Sequence, residues 1–457
     1  MKITGIKVRQ VEVPLVEPFR ISLGVITHSR SVIVSVETDE GLVGYGEGAP
    51  AILITGESLS GTSDVIREME RDLIGVDPTD LEKVYWTMDH AAAHSGCAKN
   101  AIDMACYDLL GKKAGMPVYK LLGGYRNYIE TDMTVGIDTP EVMAAKARQY
   151  VTDGFDTIKT KVGTSFAEDI ARVKAIREAV GDDVKIRVDA NQAWTAKEAV
   201  RLIKRLNEYN LELVEQPVAY HDIAGLEYVT KHSDVPIMSD ESCFNSKDAL
   251  RLVERRAIDY LNIKLMKCGG IREALKINAI CEAAGIEVML GCMVEESNLG
   301  ITAAASLGAA TRNITRADLD ATFNMTERPF KGGIYVKDTK KLQAYLNNAT
   351  LKVTTKALGN NKIRVNARFD AETYKDIVAE CGNDYTISYK FYQKSAKATS
   401  FKGPKEKSRN YITYTKASLK KGTKYKFQCG VVIKDAQGNV VAEKNYRAST
   451  TGSRVCR

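Results

Sequence analysis

The sequence lacks any apolar run of about 18 residues or more, so no helical membrane span is expected. Its first residues, Met1-Lys2-Ile3-Thr4-Gly5, contain no long apolar core of the kind a secretory signal requires. The nine cysteines are scattered, with no Cys-x-x-Cys pair among them. That absence argues against a disulfide framework or a zinc ribbon and predicts reduced thiols in a cytoplasmic protein.

What the chain does have is length and an uneven charge. Its 457 residues exceed one ordinary domain and suit two or three. Residues 351–457 hold 23 Lys and Arg against 8 Asp and Glu, a balance of +15. The remainder leaves 42 against 50 in residues 1–350, a balance of −8. The split predicts a basic appended module with a boundary near 340–350. Its positive surplus serves solubility or, as the sharper alternative, contact with an anionic polymer. Neither nucleic acid nor a membrane is expected as a partner, and a homo-oligomer is compatible with the sequence.

Residues 1–125 read as an α+β unit. Segments 3–14 and 31–38 are rich in β-branched residues, and Glu40-Gly41 offers a turn. From 62 to 122 the period becomes helical, with Ala98, Ile102, Ala105 and Leu109 at three- and four-residue spacing. Residues 126–335 then alternate. Strands are expected at 130–136, 156–161, 185–189, 211–215, 235–240, 259–264, 286–291 and 314–318, with amphipathic crossovers between them. Eight such units predict a parallel sheet closed into an α/β barrel. An open doubly wound sheet would need a glycine-rich phosphate loop after its first strand, and Val135-Gly136-Ile137-Asp138 does not supply one. After a linker at 336–349, residues 350–457 lose the helical period. Strand-like runs at 350–358, 362–369, 385–394, 410–415, 424–434 and 440–448 predict a β-sandwich.

Six of the eight barrel strands end in ionisable groups. These are Lys159-Thr160-Lys161, Asp189-Ala190-Asn191, Glu215-Gln216-Pro217, Asp240-Glu241, Lys264 and Asp318-Leu319-Asp320. In a barrel those ends converge on one face. Asp189, Glu215 and Asp240, 26 and 25 residues apart, form an arc of hard oxygen ligands on neighbouring strands. Such an arc suits one Mg²⁺ per chain, with Mn²⁺ as a substitute, and disfavours zinc. Lys161 and Lys264 flank it from opposite sides. Burial, a divalent cation, and the neighbouring Lys159 or Lys267 would depress their pKa toward that of a usable base. Two lysines beside a metal-held carboxylate suit the removal and return of an α-proton through an enediolate.

These motifs resemble the muconate-cycloisomerase branch of the enolase superfamily over residues 1 to about 333. The resemblance rests on Lys159-x-Lys161, Asp189-x-Asn191, Val214-Glu215-Gln216-Pro217, Ser239-Asp240-Glu241 and Lys264 ahead of Gly269-Gly270. Ala101-Ile102-Asp103, Gly115-x-Pro117 and Leu121-Leu122-Gly123-Gly124 add to it. It implies a (β/α)7β modified TIM barrel beneath an N-terminal α+β capping domain. Asp318-x-Asp320 is similar to the motif with which dipeptide epimerases hold the substrate's α-ammonium group, and 300–305 resembles the L-Ala-D/L-Glu epimerase subgroup. The resemblance implies Lys161 and Lys264 as acid and base, with Asn191 and Lys267 in support. Asp318, Asp320, Lys159, Ile54, Glu295 and position 133, which is Met133, are then expected to face the substrate. Cycloisomerisation or o-succinylbenzoate synthesis on the same site is the nearest alternative, and a non-catalytic binding protein the next.

The chain departs from that pattern in places. Ala-Glu epimerases place an arginine five residues beyond Pro-Phe, where this chain has Gly24 after Pro18-Phe19. Arg20 and Arg30 remain as candidate partners for an acidic side chain. Val294-Glu295-Glu296-Ser297 carries one acid more than the pattern, favouring a neutral or basic second residue. After Gly332-Gly333 the usual Pro-Gly-Leu-Gly return is absent. In the last hundred residues, 419–427 resembles the tyrosine-corner strand of fibronectin type III modules.

Overall fold

The computed structural model describes residues 1–333, 346–349, 351–359, 362–369, 386–395, 402–408, 413–416, 424–434, 440–446 and 453–455. The chain divides into two compact units, Met1–Tyr335 and Val336–Arg457.

The first unit begins with an antiparallel sheet of β1 (Ile3–Ile21), β2 (Gly24–Thr38) and β3 (Val43–Gly48). Helices α1 (Leu59–Leu73), α2 (Leu81–Ala91) and α3 (Gly96–Ala114) pack on it, followed by a short turn of helix, α4 (Val118–Leu121). The shared core joins Val32, Val34 and Val36 of β2 to Ile66, Met69 and Leu73 of α1 and Ala101, Ile102 and Ala105 of α3. Alternation along the strand and three- to four-residue spacing along the helices put these residues on facing sides.

β3 meets α3 with unusual closeness. A Cβ on Gly44 would lie 2.2 Å from the Ala105 carbonyl oxygen, one on Gly46 1.9 Å from that of Ala101, and one on Gly48 2.5 Å from that of Cys97. Two strand residues advance about 6.7 Å and four helix residues about 6 Å, so the two repeats keep step. Gly46→Ala is therefore expected to cost about 1–3 kcal/mol or more, because backbone rather than a side-chain tip would have to move. Urea unfolding of the full chain measures it, and an unchanged midpoint would show that the contact relaxes freely.

The barrel strands are β4 (Met133–Val135), β5 (Thr157–Lys161), β6 (Lys185–Asp189), β7 (Leu211–Glu215), β8 (Ile237–Ser239), β9 (Tyr260–Lys264), β10 (Glu287–Gly291) and β11 (Ile314–Asp318). They pair in parallel in chain order, within one or two residues of the expected bounds at most ends. The Asp132 N–H donates to the Ala317 carbonyl at 3.2 Å, carrying hydrogen bonding from the first strand to the last. The crossovers are α5 (Pro140–Asp153), α6 (Phe166–Val180), α7 (Ala196–Leu206), α8 (Ile223–His232), α9 (Ser246–Arg255), the single turn α10 (Leu265–Cys268), α11 (Ile271–Ala283) and α12 (Asn298–Ala310). α7 shows why they form. Thr195 and Glu198 make a reciprocal capping box, and Ala199, Leu202, Ile203 and Leu206 are buried on one face.

Carboxylates tie the cap region to the barrel. Asp103 of α3 accepts from the Ile271 N–H at 2.6 Å, at the start of α11. Glu47 of β3 accepts from Ser297 N–H at 3.0 Å and Gly300 N–H at 2.7 Å, at the start of α12. Helix N-termini favour negative charge, so both contacts suit their ends.

The second unit contains two sheets. One has the order β12 (Leu351–Gly359), β13 (Lys362–Phe369), β16 (Thr413–Lys416). The other has the order β15 (Lys402–Ser408), β14 (Thr386–Ser395), β17 (Lys424–Lys434), β18 (Val440–Tyr446), with β19 (Ser453–Val455) also on β17. Val353, Val365 and Phe369 share one core with Ile387, Tyr389, Phe391, Phe427 and Val431. β15 and β19 were not expected. β15 reads Lys-Gly-Pro-Lys-Glu-Lys-Ser, without apolar alternation, as befits an edge strand. Most of the expected linker and residues 419–423 lie outside the described residues. No described helix is long and apolar enough to cross a membrane.

Candidate functional site

Parallel register sets the site. Lys161 pairs with Asp189 and Asp189 with Glu215, so three lumen-facing side chains stand side by side on β5, β6 and β7. Asp240 follows the last residue of β8, and Lys264 ends β9. Gly291 of β10 lies between Lys264 and Asp318 in register. A Cβ there would fall 2.6 Å from Asn262 Oδ1, so glycine leaves room for Asn262, whose Nδ2 donates to Glu215 Oε1 at 2.7 Å.

Asp189, Glu215 and Asp240 each offer an oxygen within 4.8 Å of the others. All three are wholly buried, whereas Lys161 and Lys264 each keep 7% of their surface, at the mouth side of the triad. Lys161 Nζ is 2.6 Å from Asp189 Oδ2, and Lys264 Nζ is 2.9 Å from Asp240 Oδ2. Lys267 holds the other Asp240 oxygen at 2.6 Å. Glu215 Oε2 and Asp240 Oδ2 are buried without a hydrogen-bond partner, answered only by ammonium charge. Three hard donors with two such oxygens fit a divalent cation.

The strand ends are backbone-strained where the site needs them. Asn191 has φ of 40° and Gln216 φ of 36°. Such conformations cost about 1–3 kcal/mol each and gather at functional sites. The turns are held in return: Asn191 N–H donates to Asp189 Oδ1 at 2.9 Å, and Gln216 Oε1 accepts from the Asp240 N–H at 2.9 Å.

Beyond the triad lies the second acidic group. Asp318 Oδ2 is 2.7 Å from Lys159 Nζ. Thr134 donates its N–H to Asp320 at 2.7 Å and its hydroxyl to Asp318 at 3.3 Å. Here one expectation is corrected. Met133 pairs with Ile158 and Thr134 with Lys159, so strand alternation turns Thr134, not Met133, into the lumen. Ile54 is half-buried against Ala49, Cys97, Met266 and Met293. Glu295 keeps no ion pair among the described residues, and burial raises its carboxyl to about 7.

Burial opposes charge on every member, and the neighbours decide the outcome. Against burial, Lys161 and Lys159 hold the Asp189 carboxyl below its ordinary value, and Lys264 and Lys267 do the same for Asp240. Burial and the Asp189 charge push Glu215 up. Burial would lower Lys264, but the Asp240 carboxylate more than offsets this and raises it. The expected depression of Lys264 is therefore not a property of the side chains alone. It requires a cation that takes over the Asp240 charge. Burial is likewise overcome at Asp318, which Lys159 holds low, whereas burial and the Asp318 charge raise Asp320.

Sequence reasoning missed Thr134 and Asn262. Thr134 is next to the noted position 133 and Asn262 is two residues from Lys264, so strand alternation in the right register would have found them.

The chain matches two family descriptions: "Mandelate racemase / muconate lactonizing enzyme, N-terminal domain" over residues 3–123 and "Enolase C-terminal domain-like" over residues 142–341. It is 58% identical over 334 residues to a hydrophobic dipeptide epimerase of Enterococcus faecalis, covering 73% of this chain and 94% of that protein. It is 45% identical over 338 residues to an L-Ala-D/L-Glu epimerase of Bacillus subtilis, covering 73% and 92%. A crystal structure of the Enterococcus faecalis dipeptide epimerase, complexed with Mg and the dipeptide L-Leu-L-Tyr, superposes with a TM-score of 0.73 at 57% identity. That match covers 74% of this chain and 96% of that one. The chain therefore belongs to the enolase superfamily, in its mandelate racemase/muconate lactonizing enzyme family.

Proposed function

We propose that this protein is a Mg²⁺-dependent dipeptide epimerase, inverting the α-carbon of the C-terminal residue. The observation that carries the reading is the pair of lysines on opposite sides of one buried triad, Lys161 at Asp189 and Lys264 at Asp240. Asp189, Glu215 and Asp240 would hold the metal. When bound, it would supply positive charge to offset the negative charge that develops as the α-proton leaves. One lysine removes the α-proton, and the other returns a proton to the opposite face. Asp318 and Asp320 receive the ammonium end, with Thr134 orienting both.

The side-chain pocket favours apolar residues. Gly24 faces Leu53, whose Cδ1 would lie 3.3 Å from a Cβ there. The two arginines that could serve an acidic side chain are engaged: Arg30 with Glu12 at 3.0 Å and Arg20 near Asp138 at 3.8 Å. Burial raises the Glu295 carboxyl toward its neutral form, with Lys264 opposing this. In D₂O with Mg²⁺, L-Leu-L-Tyr is expected to exchange and invert its C-terminal α-proton at least tenfold faster than L-Ala-L-Glu, as judged by kcat/KM from proton NMR. Absence of α-proton exchange across a dipeptide library would remove the epimerase reading. A preference for L-Ala-L-Glu would remove the apolar one.

The raised Asp320 carboxyl gives a sign for pH. As pH falls through its elevated value it takes a proton and ceases to oppose an ammonium. The kcat/KM profile is expected to decline from above the ordinary Asp range, and a plateau down to about pH 4 contradicts this.

For the remaining parts, the reading keeps the division 1–125, 126–335, 336–349 and 350–457. A fibronectin-type character for the C-terminal sheets is supported by their antiparallel pairing and shared core. Its surplus of Lys and Arg supports contact with an anionic polymer.

A further inference from the structure

Among the described residues, Lys159 is the ammonium that touches both acidic groups of the barrel. Its Nζ lies 3.1 Å from Asp189 Oδ2, 2.6 Å from Glu215 Oε2 and 2.7 Å from Asp318 Oδ2. The side chain is buried, with 1% of its surface exposed. Only the contact with Asp318 is a hydrogen bond; those with Asp189 and Glu215 are ion pairs. Two of these carboxylates belong to the triad, and the third belongs to the pair that faces the other end of the site.

We propose that Lys159 is a movable counter-ion, neutralising Asp189 and Glu215 until a divalent cation binds there and then resting on Asp318. The inference rests on the metal-holding role given above to the triad. Like charges repel strongly at such separations in a site that excludes water. A divalent cation on Asp189 and Glu215 and an ammonium on the same two oxygens therefore compete. Glu215 Oε2 has no hydrogen-bond partner, so charge alone ties the lysine to it. The contact with Asp318 already exists, so rotation about the side-chain bonds of Lys159 suffices and the strand need not move. Asp318 thus acts on the metal without being a ligand. Linkage makes the effect reciprocal: the metal drives Lys159 onto Asp318 and leaves Asp320 the freer partner for a substrate ammonium.

Mg²⁺ titrated calorimetrically into the full chain tests this, using wild type, Lys159→Met, Asp318→Asn and the double variant. Lys159→Met is expected to bind Mg²⁺ about tenfold more tightly, because the competitor is gone. Asp318→Asn is expected to bind it about tenfold more weakly, because Lys159 has lost its alternative partner. With Lys159 already replaced, Asp318→Asn should change affinity by no more than about twofold. A simple field effect of the Asp318 charge gives equal weakening in both backgrounds, and that equality overturns the proposal. Unchanged Mg²⁺ affinity in Asp318→Asn overturns it by itself. Should Lys159→Met fail to fold, as judged by circular dichroism, Lys159→Gln carries the same comparison; should neither fold, Asp318→Asn alone decides. None of these measurements needs turnover. An inactive protein with a non-additive cycle removes the epimerase reading and keeps the counter-ion, and an active protein with an additive cycle does the reverse.

Discussion

Replacing Lys264 with alanine is expected to abolish epimerisation while leaving α-proton exchange intact for one diastereomer alone. The reason is the two-sided geometry. Lys161 sits against Asp189 and Lys264 against Asp240, with the triad between them. Inversion needs both, one to take the proton and one to deliver it. With one lysine left, the proton that faces it can still leave, and solvent deuterium returns to the same face. Loss of a positioned acid or base costs about 10²–10⁴-fold. Lys161→Ala is expected to show the converse, exchanging the other diastereomer. Proton NMR in D₂O, starting separately from the two diastereomers, reads both outcomes. If both variants exchange the same diastereomer, or either still epimerises at the native rate, the lysines do not divide the work by face.

Removal of the divalent ion should have the second-largest effect. Chelation is expected to bring turnover below detection, with recovery on adding Mg²⁺ or Mn²⁺. The same ion should stabilise the fold, because it binds an acidic group that is buried only in the native state. At a hundred times its dissociation constant it would add about 2.7 kcal/mol. For the unit Met1–Tyr335 that is a rise in Tm of roughly 4 °C. Glu215→Gln should lose both the activity and the shift. Its carboxylate is fully buried, and Asn262 fixes only one of its oxygens. Full activity in excess chelator, with no change in melting, would falsify the metal role of the triad.

Much of this site could be read from the chain because barrel chemistry sits at strand ends. Asp189 and Glu215 close their strands, and Asp240 follows its own by one residue. Apolar alternation marks where a strand stops, so the polar group at its end stands out. Position 133 shows where that reasoning slips. A strand's faces alternate residue by residue, and an error of one turns a lumen residue outward. The charge state of Lys264 was illegible for a different reason. It depends on how closely Asp240 approaches across 24 residues of chain, which local pattern does not encode. Likewise β15 carries Gly-Pro among charges, yet it pairs antiparallel along the edge of β14.

The three glycines of β3 have a consequence for how the cap region can move. Gly44, Gly46 and Gly48 form a keyway against α3, while Tyr45 and Glu47 point the other way. A slip of one residue would drive a tyrosine and a glutamate into helix backbone, and it would pull Glu47 away from Ser297 and Gly300. Small sliding adjustments of β3 along α3 are thus forbidden, and the sheet and helix of the cap region must move as one piece. A cap grafted from a relative carries both faces of the keyway with it, so what must match the barrel is the carboxylate behind them.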